Sequence, residues 1–166
     1  MSPLYLILAI VAGQRLVELA YARRNERRLF ARGAYEVGRE HYPLFILLHG
    51  GWLLTMLVTV SPGAVPNWTL IGVMGGLQLL RLWVVASLGP YWTTRIITLP
   101  DAPLIRRGPF RFLRHPNYAV VVAEIAVLPL AFGAYGIAAV FSALNLLLLR
   151  RRIGVEERAL APRRCS

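Results

Sequence analysis

Lysine is absent from this 166-residue chain, and eight acidic residues stand against 19 arginines. Cysteine occurs once, at Cys165, which rules out a disulfide framework or a multi-cysteine metal site. Charged residues make up only 16% of the chain and hydrophobic ones 57%, with a mean hydropathy of +0.54. So few polar residues cannot cover the surface of a water-soluble domain, and so apolar a chain is not disordered. The net charge of +11 would suit nucleic acid if the arginines formed one basic face. They lie instead in clusters between long apolar runs, which leaves nucleic acid without support as a partner. The pattern is that of one integral membrane domain, with no room for a second soluble one.

A helix rises 1.5 Å per residue, so crossing a hydrocarbon core of about 30 Å takes about 20 residues. Segments 3–21, 42–60 and 68–88 reach that length. A fourth apolar stretch, 118–149, is 32 residues long and is broken near Gly133-Ala134-Tyr135-Gly136. It is too long for one span and short for two, so a tight helical hairpin is expected. The first span lacks a small-residue cleavage site and carries Gln14, Arg15 and Glu18, which reads as a retained helix rather than a signal peptide.

The connections then sort by charge. Residues 22–41 hold six arginines, residues 89–118 five, and the tail after Leu149 six. The connection 61–67 and the turn at 133–136 hold none. The positive-inside rule makes the arginine-bearing side cytoplasmic. The expected fold is all-α and membrane-integral: five transmembrane helices, N-terminus outside, C-terminus cytoplasmic. Residues 1–88 form three N-terminal spans, and 89–166 a cytoplasmic connection, hairpin and tail. The setting this implies is an inner (plasma) membrane. No internal repeat is visible, which argues against inverted-repeat transporter designs.

Charges inside hydrocarbon are costly and need a partner or a watery cavity. Arg15 and Glu18 are three apart and could pair with each other. Arg81 has no acid near it in sequence and must look to another helix or bend toward the cytoplasmic surface, with Glu124 a candidate partner. Asn145 could be ordinary interhelical glue, and His49, beside Gly50-Gly51, a packed polar side chain.

Two clusters at the cytoplasmic surface carry chemistry. One is Gly108-Pro-Phe-Arg-Phe-Leu-Arg-His-Pro-Asn-Tyr118, followed by Glu124 and Pro129. Pro116 suits the first position of a helix, so Arg114, His115, Asn117 and Tyr118 gather at a helix N-terminus that favours anions. An interfacial anchor, with arginines on headgroups and tyrosine in the aromatic belt, explains the same residues. The other cluster is Arg150-Arg-Arg152-Ile-Gly-Val-Glu156-Glu157-Arg158, where Arg152 and Glu156 share a helical face. Its plain reading is a solvated helix end with weak intrahelical ion pairs. A tight hairpin, however, returns this cluster to the membrane face that bears Arg114 and Tyr118.

With Arg114-His115-Pro116-Asn117-Tyr118, the following Glu124 and Pro129, the hairpin, and Arg152-x-x-x-Glu156-Glu157 in place, the chain resembles the isoprenylcysteine carboxyl methyltransferase family over roughly residues 89–160. The N-terminal half looks like a bacterial branch of that family associated with type III polyketide synthases, which methylates alkylpyrones and alkylresorcinols. The segments concerned are Arg15-Leu-Val-Glu18, Arg32-Gly-Ala-Tyr-Glu36, His41-Tyr-Pro43, Leu88-Gly-Pro-Tyr-Trp92 and Thr94-Arg95-Ile96. The chain departs from the family's eukaryotic members in its fewer spans, its shorter tail, and Phe110 where a tyrosine is common.

The resemblance implies methyl transfer from S-adenosylmethionine to an oxygen of a lipophilic acceptor drawn from the bilayer. It places cofactor contacts on His115, Pro116, Asn117 and Tyr118, on Ala102, Pro103, Leu104 and Ile105, on Glu156, and on Arg95. It places Arg152 near the acceptor as the catalytic residue, and implies no metal. A carboxylate acceptor is already ionised and needs no base, whereas a phenol would gain from one, with His115 or Glu124 to hand. Two other readings fit the bare sequence: a scaffold or transporter whose arginines only anchor headgroups, and a nicotinamide-dependent reductase of the sterol-reductase type, although no Gly-rich dinucleotide fingerprint is present.

Overall fold

The computed structural model describes residues 2–100, 102 and 105–161. Five helices follow in order: α1 (Pro3–Phe30), α2 (Tyr42–Thr59), α3 (Trp68–Leu88), α4 (Pro116–Ala131) and α5 (Tyr135–Leu160). Proline stands at the start of α1, α2 and α4, where its missing N–H leaves no bond unmade. α3 is capped instead by Asn67, whose side-chain oxygen accepts from the N–H groups of Thr69 (3.0 Å) and Leu70 (3.2 Å).

Three of these helices, α1, α2 and α3, are long and apolar enough to cross a membrane. α4 is a shorter apolar helix, and the apolar part of α5 stops at Arg150. The hairpin expected from the sequence is present. The N–H of Ala134 returns to the carbonyl of Pro129 (2.9 Å) and that of Gly133 to Leu130 (3.1 Å), so the chain reverses within three residues. The Asn67 N–H donates to the Ala131 carbonyl (2.7 Å) and ties the start of α3 to the end of α4.

Two expectations need correction. α1 does not stop at Tyr21 but runs to Phe30, so Arg23, Arg24, Arg27 and Arg28 belong to a helix and not to a loop. Its last turns bury Ala22, Asn25, Glu26 and Leu29 on one face, which keeps an arginine-rich segment helical. The fold is also not wholly helical. β1 (Tyr35–Val37) pairs antiparallel with β2 (Ile96–Thr98), Glu36 opposite Ile97. Gly38 lets this small sheet close against α5: its φ is +66°, and a Cβ there would lie 2.8 Å from Val155 Cγ1.

The main apolar core joins Leu4, Leu8 and Val11 of α1, Leu48, Trp52 and Met56 of α2, and Val121, Ile125 and Leu128 of α4. A smaller one, around Ala22, Val84 and Trp92, lies nearer the arginine-rich end. Outward faces are apolar as well (Leu16, Val17, Leu47, Val58, Leu79 and Leu147 are exposed), an arrangement at home in lipid and costly in water.

Between the cores sits a charge network. Glu18 accepts two hydrogen bonds from Arg81, at 2.6 Å from Nε and 2.6 Å from Nη2. Gln14 donates to it at 3.1 Å. Glu124 is paired with Arg15 and stands 3.4 Å from Arg81. Arg15 and Glu18 do meet, at 3.4 Å, yet each has its shorter contact on another helix. The self-contained pair suggested by their spacing is thus a four-membered cross-link of α1, α3 and α4. Asn145 does not act as hydrogen-bonding glue: it is fully buried, with no partner for either polar atom among the described residues. His49 Nδ1 lies 2.8 Å from the Phe45 carbonyl within its own helix.

Candidate active site

His115 is the residue that precedes α4, and its ring and that of Tyr118 sit on the same side of the α4 N-terminus. The two rings stack with centroids 5.4 Å apart and planes 17° from parallel. The hairpin returns α5 to this point. Arg152 and Glu156, four residues apart, face α4 together and share the Tyr118 hydroxyl. That hydroxyl donates to Glu156 Oε2 at 2.5 Å and accepts from Arg152 Nε at 2.9 Å. His115 Nδ1 lies 3.7 Å from Glu156, and Nε2 3.6 Å from Glu157.

Arg152 is held from two further directions. Its Nη2 donates to the Thr94 carbonyl at 2.7 Å, and its guanidinium lies 5.0 Å from the centre of the Phe45 ring. Among the described residues, no carboxylate comes within ion-pairing distance of it. This is a cation kept in place by a carbonyl, a phenol and an aromatic face, with its charge left for something else.

Arg95 approaches from the β2 side. It pairs with Glu36 at 3.0 Å and Glu26 at 3.8 Å, and stacks over Tyr42 at 4.9 Å. Burial works against its charge. The charge and hydrogen bond of Glu36, together with the charge of Glu26, outweigh that and raise the guanidinium above its ordinary range. The Tyr42 hydroxyl reaches Thr94 Oγ1 at 3.1 Å, so α1, α2 and β1 converge on the segment before β2 that supplies the carbonyl to Arg152.

A cavity of about 710 Å³ opens among these groups. Arg95, Ala102, Ile105, His115, Pro116, Asn117, Tyr118, Arg152 and Glu156 all line it. Every described residue singled out from the sequence for cofactor or acceptor thus borders one space. Pro103 and Leu104 lie outside the described residues. Glu124, entertained as a base, is elsewhere: it is fully buried and bound to Arg15 and Arg81, so the geometry gives it no access to the cavity. Trp92 and Thr94 lie in segments already noted for the resemblance, but without a role; Thr98 and Phe45 had no signal in the sequence, and only the packing of α2 on α5 brings Phe45 beneath Arg152.

The size is within the range of about 300–1,000 Å³ typical of small-molecule sites. The wall is chemically mixed, with Leu29, Leu88, Phe110 and Leu160 beside the charged groups. Among the described residues, Trp92 Nε1, Thr98 Oγ1 and Asn117 Oδ1 are buried on cavity-lining residues without a hydrogen-bond partner. Buried polar atoms in native proteins are nearly always satisfied, so these three suit a polar ligand. No group of His, Cys, Asp and Glu among the described residues is arranged to hold a metal ion.

Apolar-surfaced helices with a mixed cavity at their arginine-rich end are the features of a membrane protein. Residues 69–162 match the isoprenylcysteine carboxyl methyltransferase family. The chain belongs to that family. It is 39% identical over 160 residues to the uncharacterized protein YpbQ of Bacillus subtilis (strain 168), covering 94% of this chain and 95% of that protein. It is 27% identical over 159 residues to an uncharacterized protein of Haemophilus influenzae, covering 92% of each. No solved structure shows a significant match.

Proposed function

We infer that the protein is a membrane O-methyltransferase that moves a methyl group from S-adenosylmethionine to an oxygen of a lipophilic acceptor. The observation that carries this reading is the meeting of α4 and α5 at one cavity, in a chain of a methyltransferase family. All five helices span the bilayer in this reading, with the N-terminus outside and the cavity facing the cytoplasm, as the arginine distribution favours.

The donor set suits a zwitterionic, positively charged sulfonium compound. Glu156 would meet its ammonium, Asn117 and Trp92 offer an acceptor and a donor, and Leu29, Leu88 and Ile105 provide apolar wall for a ring. Such a cofactor supplies an electrophilic methyl group. The protein supplies position: Arg152, fixed by Thr94 and Tyr118, orients an anionic oxygen toward the methyl. Transfer neutralises sulfonium and oxyanion together, so a site with little water favours it. A carboxylate acceptor leaves no proton to dispose of. A phenolic or enolic one does, and His115 is the basic side chain placed to take it. The alkylpyrone and alkylresorcinol class, with a type III polyketide synthase as its source, is the acceptor group we favour on the N-terminal segments.

The test is binding of S-adenosylmethionine to detergent-solubilised protein by calorimetry. The parent should bind, and Glu156→Ala and His115→Ala should each weaken binding at least about tenfold, the scale of one lost charge-assisted contact. Binding unchanged in both variants would overturn the site. Expression followed by lipid mass spectrometry then identifies the acceptor by a gain of one methyl group.

A further inference from the structure

Residues 108–114 present a surface that neither the charge network nor the cavity accounts for. Phe112 is 76% and Leu113 51% exposed, side by side, with exposed Arg106, Arg107, Arg111 and Arg114 around them. Among the described residues, only Arg114 of these four comes near a carboxylate, Glu157 at 4.0 Å. Arg107 spends its Nε on the Ser87 carbonyl at the end of α3 (3.0 Å).

The segment is seated firmly. Gly108, at φ +58°, lies so close to α3 that a Cβ would fall 2.2 Å from Ser87 Oγ and 3.2 Å from Trp83 Nε1. It therefore adjoins the outward face of α3, where Leu79, Leu82 and Trp83 are exposed. Phe112 and Leu113 follow this contact by four and five residues, exposed and just before α4 begins, and an exposed apolar pair among arginines suits the headgroup level of a membrane. Arg106, Arg111 and Arg114 face two ways, since they also line the cavity.

We propose that residues 106–114 form a foot that docks on anionic phospholipid headgroups, with Phe112 and Leu113 inserted among the acyl chains and the arginines on the phosphates, at the lip of the cavity. Charge complementarity selects the partner. Among the described residues, Arg106, Arg107 and Arg111 have no carboxylate partner, and they attract an anionic leaflet by an energy that falls off within a Debye length. A zwitterionic surface offers little of that attraction.

The test uses the full chain in lipid nanodiscs, labelled with an environment-sensitive fluorophore at Leu113→Cys in a Cys165→Ser background. Discs of phosphatidylcholine alone are compared with discs containing about one-third phosphatidylglycerol, an anionic content that gives a strong surface potential. Bromine on the acyl chains should quench the label at least about twofold more in the anionic discs, and aqueous iodide correspondingly less. Arg106→Gln with Arg111→Gln, which leaves the apolar pair in place, should remove most of the difference. Equal quenching in both discs overturns the proposal, as does protection from both quenchers, which would mean that protein such as a second copy covers the segment. Neither readout depends on catalysis, so the foot and the methyltransferase reading can fail separately.

Discussion

Two clusters in this molecule are made from the same residue types and have opposite characters. In the bundle, Arg15, Glu18, Arg81 and Glu124 balance charge for charge and are cross-linked on three helices. At the arginine-rich end, His115, Tyr118, Arg152 and Glu156 touch one another but surround a cavity, and among the described residues Arg152 has no ion-paired acid. The first cluster is closed: every charge has an opposite, as a low-dielectric setting demands. The second is open, and its spare charge and unpartnered polar atoms are capacity for a ligand. Charge inside a membrane protein is therefore not in itself a sign of a site; spare charge and unpartnered polar atoms gathered around one cavity are.

The comparison breaks first where the closed cluster is opened. Glu124→Leu leaves Arg15 and Arg81 sharing the single carboxylate of Glu18 and should lower stability by about 3–5 kcal/mol, the cost of leaving a buried charge without its partner. Thermal unfolding in detergent reads this directly, and an unchanged midpoint would mean that the network is not a structural cross-link. The open cluster should respond differently. Tyr118→Phe removes the hydroxyl that both Arg152 and Glu156 use, and should weaken S-adenosylmethionine binding about tenfold, the value of one or two hydrogen bonds, with little change in melting. The smallest effect is expected at the rim. Arg95→Gln releases Glu36 and Glu26 from a partly exposed pair and should alter cofactor affinity by only about two- to threefold, the more so at low salt. A loss of stability as large as that of Glu124→Leu would show that Arg95 belongs to the closed class.

Much of this was legible in the sequence because membranes impose simple rules. The start of α2 at Tyr42 and both ends of α3 follow from apolar run length, and the hairpin from an apolar stretch of awkward length. The meeting of His115 with Glu156 followed from that hairpin alone. Three features had no local signal. The final turns of α1 are rich in arginine and look like a loop, and only their packing keeps them helical. β1 and β2 are three residues each and lie some 60 positions apart, too short and too distant for alternation to reveal them. Glu124 stood near a motif that resembled a site, yet its side chain serves the bundle; sequence proximity does not say which way a helix faces.

The turn joining α4 to α5 sits at the far end of the hairpin from the cavity, about 24 Å away by the rise of a 16-residue helix. Each residue added or removed there would turn α5 by about 100° and swing Arg152 and Glu156 off Tyr118. The alignment of the cavity-lining groups is thus written into the length of a tiny bend at the other end of the hairpin. Natural variation in that bend should be confined to substitutions, because a change in its length would misaim the whole last helix.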